Sequence, residues 1–388
     1  STTTVVNAFN GFDSCPAFVG QGQAATTVLQ GDVNIGLKAA IEDLSKKLAE
    51  PVEFKELMAT SSAAGGLRMT VHGLVYDMTV KAAKEAALGA GANIKFITAG
   101  KLRRSDLKKI REIEPNIILI AGGVDYGERD TALYNAELIA EMNLGIPVIY
   151  AGNIENHEDI REIFEDTKSE LYIVDNVYPR IDELNIEPTR KVIQDVFEKH
   201  IIHAPGMEKI REMVTGPIMP TPGAVMAASE LLFDHLGALM TIDVGGATTD
   251  VHSVAEDSDE ISRILINPEP KAKRTVEGDL GVYVNMKNIV SLVGEEDLAK
   301  ELNISIEELE SLIENHKPIP ETDMEKRFVE SLTLHATINA VKRHVGQLKH
   351  LYGPSGKKTI AEGKDLTGVK YIIGTGGALT RLPRRKSI

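Results

Sequence analysis

From residue 94 to residue 176, short apolar segments alternate with amphipathic ones, and this alternation restricts the fold more than any other feature. The apolar segments predict four strands, at residues 94–98, 117–121, 147–150 and 171–174. The intervening segments predict three helices, at residues 106–113, 131–142 and 158–164. Strands and helices that alternate over such short connections form right-handed βαβ units around a parallel sheet. We therefore expect a flavodoxin-like α/β unit, inserted into a larger fold.

The size and composition of the chain exclude several classes of protein. Its 388 residues are too many for one compact core and indicate two or three packed units. A net charge of −14 disfavours a nucleic-acid-binding surface, which needs clustered Lys and Arg. No segment approaches the roughly 20 apolar residues of a membrane-spanning helix. The single cysteine, Cys15, excludes an internal disulfide and makes a reducing, cytoplasmic setting the default expectation.

The flanking regions predict further elements of an α/β fold. An N-terminal hairpin over residues 3–19 leads to a helix over residues 33–48, which Asp32 is expected to cap. After the unit, the apolar pattern predicts further strands, at residues 241–244, 250–254, 261–266 and 369–373, the last of them buried. The segment from Met324 to Tyr352 predicts one long helix.

The most informative string is TIDVGGATTD, at residues 241–250. A strand delivers the carboxylate of Asp243 at its end, and a glycine pair lets the backbone turn and come close to a ligand. Two threonine hydroxyls follow as the next strand begins. Backbone N–H groups and hydroxyls suit phosphate oxygens, and the carboxylate suits hydrated Mg²⁺. The alternative is a plain hairpin with a Gly-Gly turn, which needs neither the acidic residue nor the threonine pair.

This string resembles the second phosphate-binding motif of the superfamily that holds actin, Hsp70 chaperones, sugar kinases and hydantoinase-type proteins. Members have two related α/β domains, each with a phosphate-binding hairpin, and hold adenosine between them. Two further pieces of this chain fit that pattern. Residues 1–9 resemble the second half of the first hairpin, whose acidic residue and glycine would lie upstream. Residues 371–378, YIIGTGGA, are similar to the glycine-rich adenosine loop.

Within that superfamily, strings along nearly the whole chain are similar to the MutL family, also called GlmL, which is encoded with glutamate mutase and aminomutases. These strings are SSAAGGLRM at residues 61–69, LGAGA at 88–92, AGGVD at 121–125, PTPGAV at 220–225 and RTVEGDLG at 274–281. The DNA mismatch-repair protein of the same name is an unrelated ATPase. The resemblance implies a reactivating, chaperone-like role toward a B12-dependent mutase, by analogy with the reactivating factors of diol dehydratase.

The same resemblance implies a two-domain actin-like (ribonuclease H-like) ATPase fold. The first subdomain would comprise residues 1–93, the inserted unit residues 94–205, and the second subdomain residues 206–388. Asp243 would hold Mg²⁺ through water, and hydrolysis of ATP would depend mainly on positioning and electrostatics. The implied contacts to ATP are Ser1, Thr2, Thr3, Gly245, Gly246, Thr248, Thr249, Gly374, Gly376 and Gly377. The implied partner is an adenosylcobalamin-dependent mutase, and a homodimer is left open.

Three further features have two interpretations each. Glu277 and Asp279 would orient the attacking water or bind Mg²⁺ through water, or they are acidic turn residues near a helix start. His252 comes within one residue of a cobalamin-binding loop pattern, but its expected place inside a strand favours a structural role. The turn GGVDYG at residues 122–127 would bind a small molecule or face a mutase subunit, or it needs glycine only for its geometry.

Two other functions stay open from the sequence. A small-molecule kinase on the same fold would need a substrate hydroxyl or carboxylate near the γ-phosphate, and its turnover would respond to a metabolite. A structural partner of the mutase would keep the fold without the activity. We expect the chain to be cut within its ATP site at both ends, which would cripple hydrolysis.

Overall fold

The structure is a computed structural model that describes residues 2–11, 13–27, 31–49, 51, 53–62, 67–201, 207–353 and 356–388. The described strands form five sheets, with both parallel and antiparallel pairs. The predicted mixed α/β class is therefore confirmed. Among the described helices, none combines the length and the apolar character that crossing a membrane would require.

The N-terminal segment forms a hairpin that is covered by one helix: β1 (Thr3–Asn10), β2 (Ala17–Ala25) and α1 (Val33–Leu48). The predicted hairpin and helix are confirmed, although β2 extends further than expected. The carboxylate of Asp32 accepts a hydrogen bond from the amide of Asn34 at 2.8 Å, which is the predicted cap of α1. A short strand, β3 (Ala59–Ser61), follows.

A five-stranded parallel sheet comes next. Its strands are β4 (Arg68–Gly73), β5 (Asn93–Ala99), β6 (Ile117–Ile120), β7 (Val148–Tyr150) and β8 (Leu171–Ile173). They pair in the order β5-β4-β6-β7-β8, which is the flavodoxin-like order of a doubly wound sheet. The predicted βαβ units are confirmed. Because β4 pairs with both β5 and β6, the boundary expected after residue 93 falls inside this sheet.

Helices cover both faces of the five-stranded sheet: α2 (Lys81–Gly89), which continues a short π-helix (Tyr76–Val80), α3 (Arg104–Ile113), α4 (Asp130–Met142), α5 (His157–Glu165) and α6 (Glu187–Ile201). The four residues of β6 are all buried. Ile117 and Leu119 lie in a core with α2 and α6, whereas Ile118 and Ile120 lie in a core with α3, α4 and α5. This two-sided burial is why the strand reads as a continuous apolar run.

The remaining elements are α7 (Met207–Met213), β9 (Ile218–Pro220), α8 (Thr221–Leu236), β10 (Leu239–Val244), β11 (Thr249–Val254), α9 (Asp259–Ser262), β12 (Ala272–Glu277), α10 (Met286–Val293), α11 (Glu295–Leu302), α12 (Ile306–Glu314), α13 (Asp323–His344), β13 (Gln347–Gly353), β14 (Gly356–Glu362), β15 (Tyr371–Thr375) and α14 (Gly376–Arg381). Four of these strands build a second large sheet, of order β12-β11-β10-β15. In this sheet β15 runs parallel to β10, and the other neighbours are antiparallel. Helices α10 to α13 form an apolar core on one face, and α8 packs on the other.

The third strand of this sheet was predicted wrongly. Residues 261–266 contain the end of α9 and a turn, and the strand is β12, at residues 272–277. Its sequence, AKRTVE, does not show an apolar pattern, because Lys273 and Arg274 are buried through ion pairs rather than exposed. A strand whose buried residues are charged cannot be predicted from the spacing of apolar residues.

Two predictions near the C-terminus were also wrong. Helix α13 ends at His344 instead of continuing to Tyr352, and the hairpin of β13 and β14 follows. The chain turns at Gly346, which packs so closely on Gly363 that a Cβ would lie 2.7 Å from that residue's backbone. The strand expected to be buried is β15, at the edge of the sheet, where Ile372 is 69% exposed.

Candidate functional site

Strands β10 and β11 hold the TIDVGGATTD string as a tight hairpin. Asp243 and Asp250 are directly opposite each other in the antiparallel register. The amide of Gly245 donates a hydrogen bond to the carbonyl oxygen of Thr248 at 2.9 Å. Opposite residues of an antiparallel pair share one face of the sheet. Two carboxylates therefore lie side by side where β10 ends.

The Asp243 carboxyl group is the strongest candidate for chemistry. Burial and the neighbouring Asp250 carboxylate raise its pKa from 3.8 to about 6, and the Arg274 guanidinium opposes this rise. Within the described part of the chain, no hydrogen bond or ion pair reaches this carboxylate. A perturbed and unpartnered ionisable group at a strand end is typical of a functional site.

Asp250, in contrast, is fully paired. Arg274 on β12 donates from Nε at 2.8 Å and from Nη2 at 2.5 Å to Asp250 Oδ1. The hydroxyl of Thr248 donates to Asp250 Oδ2 at 3.1 Å. Arg274 also donates from Nη1 to the carbonyl oxygen of Leu88, at the end of α2, at 2.9 Å. The role of Arg274 could not be predicted from the sequence, because no local pattern reveals a partner that lies so far along the chain.

The N-terminal segment lies against the glycine turn. A Cβ on Gly246 would be 2.5 Å from the hydroxyl oxygen of Thr2, so glycine is what admits this contact. Thr3 begins β1, and Ser1 lies outside the described residues. Two distant segments that the sequence analysis assigned to one site are thus in contact.

The glycine-rich segment after β15 reaches the same place. β15 runs parallel to β10, with Thr375 opposite Asp243. Gly376 has φ of +81°, and a Cβ there would lie 2.6 Å from Asp243 Oδ1. Only glycine combines this backbone conformation with such a close approach. Gly374 lies in β15, one residue before its end, and Gly377 lies in the first turn of α14.

The two threonines of the string differ in their surroundings. Thr249 is fully buried, and its hydroxyl donates to the carbonyl oxygen of Leu280 at 2.6 Å. Thr248 is only partly buried and lies at the turn itself. Thr249 therefore holds the loop that follows β12, whereas Thr248 keeps a hydroxyl at the surface of the turn.

That loop, residues 278–285, closes over the glycine turn. Four hydrogen bonds join it to three successive carbonyl groups of the turn. Val282 N donates to Gly245 O at 3.1 Å, and both Tyr283 N and Val284 N donate to Gly246 O, at 2.8 and 2.7 Å. Asn285 Nδ2 donates to Ala247 O at 2.8 Å. The sequence analysis did not predict these contacts. Among the described residues, the amides of Gly246 and Ala247 are left without an acceptor.

Glu277 and Asp279 are placed differently from Asp243. Both accept hydrogen bonds from Arg343 of α13, at 2.7 Å each. The register aligns Asp243 with Val276 across the sheet, so Glu277, the next residue, lies on the opposite face. Hydrogen bonds from Arg343 also lower the pKa of Asp279. The structure does not bring these two carboxylates together with Asp243, and their role in hydrolysis stays a prediction.

His252 lies inside β11, as expected, and is fully buried. Neither ring nitrogen has a hydrogen-bond partner among the described residues. Burial lowers the pKa of this histidine well below its usual value. The described residues contain no group of three or more His, Cys, Asp or Glu side chains arranged for a metal ion. Mg²⁺ in nucleotide sites needs only one or two carboxylates besides the phosphates, so Asp243 fits that role.

The other glycine turn, at residues 122–127, is closed by its own hydrogen bonds. Gly123 has φ of +66°, and a Cβ there would lie 2.0 Å from the carbonyl oxygen of Glu128. Asp125 Oδ1 accepts hydrogen bonds from the amide of Ile154 and from Asn176 Nδ2, at 3.0 Å each. These contacts favour the geometric interpretation of its glycines.

Fold and site together define a mixed α/β protein with an unpartnered carboxylate beside a glycine turn at the end of a sheet. The MutL protein family matches residues 1–388 of the chain. Protein MutL of Clostridium tetanomorphum is 38% identical over 366 residues, which cover 91% of this chain and 79% of that protein. The chain therefore belongs to the MutL family. The predicted membership of the GlmL-type family, and not of the mismatch-repair one, is confirmed.

Two solved structures show weaker likenesses. A nucleotide-free structure of acetone carboxylase, titled for ATP-dependent acetone carboxylation, has a TM-score of 0.36 at 13% identity, and the match covers 84% of this chain and 60% of that one. The siderophore periplasmic binding protein from the fuscachelin gene cluster of Thermobifida fusca has a TM-score of 0.19 at 13% identity, covering 60% of this chain and 75% of that one. Scores this low support no conclusion about fold or function.

Proposed function

We propose that this chain is an ATP-dependent reactivating factor for an adenosylcobalamin-dependent mutase of the glutamate mutase or aminomutase type. It binds and hydrolyses Mg-ATP between two actin-like domains. The hairpin of β1 and β2 with α1 belongs to the first domain, and the four-stranded sheet belongs to the second. Because β4 is part of the five-stranded sheet, the inserted unit begins near Leu67 rather than at residue 94.

One observation carries this proposal: three distant segments meet around the Asp243 carboxylate. Thr2 contacts Gly246 of the turn, and Gly376 contacts Asp243 itself. In both contacts the glycine has no room for a side chain. Chance would not bring a threonine-rich segment, a glycine turn and a glycine-rich helix start to one carboxylate in the order that the actin-like pattern requires.

The residues at this point suit a nucleotide with its metal. The amides of Gly246 and Ala247 are donors for phosphate oxygens. The hydroxyl of Thr248 donates to Asp250 and would join them by exchanging that hydrogen bond for one to phosphate. Asp243 is free to accept hydrogen bonds from the water shell of Mg²⁺. At Gly377 a Cβ would have no atom closer than 4.0 Å, so the backbone there is open to an adenosine, while Gly374 and Gly376 pack closely on their neighbours. When bound, Mg-ATP supplies a γ-phosphoryl group that water can attack.

Asp243 is also the better candidate for orienting that water. A general base must be within hydrogen-bond reach of the proton that it takes. Glu277 and Asp279 are already engaged by Arg343, whereas Asp243 has no partner among the described residues. Its pKa of about 6 keeps the group mostly ionised at neutral pH while leaving it more basic than an ordinary aspartate.

Membership of the MutL family supports the association with a mutase. Closure of the domains around ATP would change the affinity of the protein for this partner. Linkage then requires the mutase to change the affinity for ATP by the same factor. The proposed task is the exchange of damaged cofactor in the mutase.

ATP hydrolysis by the full-length protein, with and without inactivated mutase, tests the proposal. Turnover is expected to rise with the mutase and to fall about 10²-fold or more in Asp243→Ala, the scale of losing one preorganised electrostatic group. Asp195→Asn is the matched control, since this aspartate is exposed on α6 and should leave turnover unchanged.

Two outcomes would contradict the proposal. Turnover that responds to a metabolite and not to the mutase would indicate a small-molecule kinase. Absence of turnover under every condition, with ATP binding intact, would indicate a structural partner of the mutase.

A further inference from the structure

The sheet that carries Asp243 is joined to the five-stranded unit along β12 and the loop before it. Three cations make this joint. Arg274 donates to the carbonyl oxygen of Leu88 at 2.9 Å. From the other side, Arg190 of α6 donates to the carbonyl oxygen of Ala272 at 2.6 Å, and Lys81 of α2 donates to Glu269 at 2.5 Å. The joint therefore depends on directional charged contacts as well as on apolar packing.

Arg274 differs from the other two cations because it also reaches the candidate site. Arg274 is buried, with 3% of the residue exposed. Two nitrogens bind Asp250 Oδ1, and the third faces the carbonyl oxygens of Leu88 at 2.9 Å and Ala92 at 3.5 Å. One rigid fork thus connects the hairpin of Asp243 to the end of α2.

The charges around this fork explain why its position matters. Asp243 and Asp250 are adjacent like charges, and Arg274 is the cation that offsets them. On its other side, the carboxyl end of α2 carries the negative end of the helix dipole. The guanidinium is therefore attracted both to the carboxylate pair and to the carbonyl groups at the end of α2. A change of charge at the carboxylate pair changes how strongly the guanidinium interacts with the end of α2.

We propose that Arg274 is a positioning residue that couples the nucleotide site to helix α2 of the five-stranded unit, an inference that rests on the proposed function. A divalent cation held at Asp243 offsets part of the negative charge that Arg274 now balances. The guanidinium then interacts less with Asp250 and more with the carbonyl groups at the end of α2. Linkage then makes the effect reciprocal. A partner that binds preferentially to one position of α2 changes the affinity for Mg-ATP by the same factor by which Mg-ATP changes the affinity for that partner.

The test compares Arg274→Met and Arg274→Lys with the wild-type chain, using Arg190→Met as the matched control. Arg190 is equally buried at the same joint, and its guanidinium also packs against the end of α2, at Gly89. It binds Glu187 and Ala272, however, and not the carboxylate pair. Two quantities are measured: the affinity for Mg-ATP by calorimetry, and amide hydrogen exchange in residues 86–93 with and without Mg-ATP. Neither depends on turnover.

In the wild type, Mg-ATP is expected to slow exchange at the end of α2. Arg274→Met should weaken Mg-ATP binding on the order of tenfold, a common size for coupling between sites, and should abolish the slowing. Arg274→Lys keeps the charge but lacks the fork, so it should retain affinity within about threefold and still lose the slowing. If Arg274→Met does not fold, Arg274→Lys decides the result. Arg190→Met removes a group that packs on Gly89, so it should change exchange in residues 86–93 equally with and without Mg-ATP. It should leave the affinity and the slowing by Mg-ATP unchanged.

The inference would be overturned if Mg-ATP still slowed exchange in both Arg274 variants. It would also be overturned if Arg190→Met lost the slowing to the same extent, because that would indicate general loosening of the joint. In either of these cases the wild type still binds Mg-ATP, and the proposed function stands. A wild-type chain that binds no Mg-ATP would instead remove the proposed function, and the role of Arg274 would fall with it.

Discussion

The two large sheets of this protein both place a glycine turn and an aspartate at the carboxyl end of a strand, but the two ends are satisfied differently. After β6, Asp125 accepts hydrogen bonds from Ile154 and Asn176. After β10, Asp243 has no partner among the described residues, and its pKa is raised. Native structures satisfy nearly all buried polar groups. A turn that can receive a ligand therefore differs from a closed turn in having polar groups without hydrogen-bond partners, and not in its glycine content.

Gly123→Ala should have the largest effect, because it breaks the closed turn. A Cβ would meet the carbonyl oxygen of Glu128 at 2.0 Å, and φ is +66°. Left-handed strain and overpacking together should lower the free energy of unfolding by about 3 kcal/mol, measured by urea denaturation. Gly100→Ala is the control, since it has φ of +80° but nothing within 4 Å, and should lose only about 1 kcal/mol.

Mg-ATP affinity should be unchanged in Gly123→Ala, measured at a temperature where the variant is folded. A loss of affinity would mean that the nucleotide binds at the five-stranded sheet, and the comparison between the two turns would be reversed.

Asp243→Asn should have an intermediate effect on stability, and it should raise the free energy of unfolding instead of lowering it. In the folded protein the pKa of Asp243 is about 6, above its ordinary value of 3.8. The folded state therefore holds this proton more tightly, and wild-type stability falls as the pH rises between about 4 and about 6. The variant lacks this loss and should be more stable by about 1–3 kcal/mol at pH 7, while losing Mg-ATP binding. Denaturation at pH 4 and pH 7 checks the sign, and a variant that is less stable at pH 7 would show that the carboxylate is stabilised by a partner.

Tyr126→Gly should have the smallest effect. Tyr126 has φ of +62° and is 78% exposed, next to the closed turn. Glycine removes left-handed strain of about 1–2 kcal/mol but loses about 0.5–1 kcal/mol through backbone entropy. A net gain of about 0.5 kcal/mol is expected in thermal denaturation. Tyr126→Ala removes the ring without relieving the strain, and an equal gain in that variant would contradict this explanation.

Elements with strong local patterns could be predicted from the sequence. The cap at Asp32 and the apolar spacing of α1 are local features, and the four consecutive apolar residues of β6 indicate a strand buried on both faces. Strand β12 could not be predicted, because its Lys273 and Arg274 are buried through ion pairs with Glu269 and Asp250, which no apolar pattern reveals. Helix α6 and the hairpin of β13 and β14 were missed as well.

In the candidate site, too, the local features could be predicted from the sequence and the long-range contacts could not. The carboxylate, the glycine pair and the threonines are contiguous, so one string was enough to propose them. The pairing of Asp250 with Arg274, and of Glu277 and Asp279 with Arg343, joins residues from different elements. No spacing rule relates such residues, and their contacts exist only after the sheet has formed.

The sequence by itself determined the family of this protein and the parallel βαβ unit, and it was enough to propose the segments that bind phosphate, because each depends on residues that are close together along the chain. Only the tertiary structure decided which of the two glycine turns stays open. That depends on long-range hydrogen bonds, two of which engage Asp125 Oδ1, whereas Asp243 has no partner among the described residues.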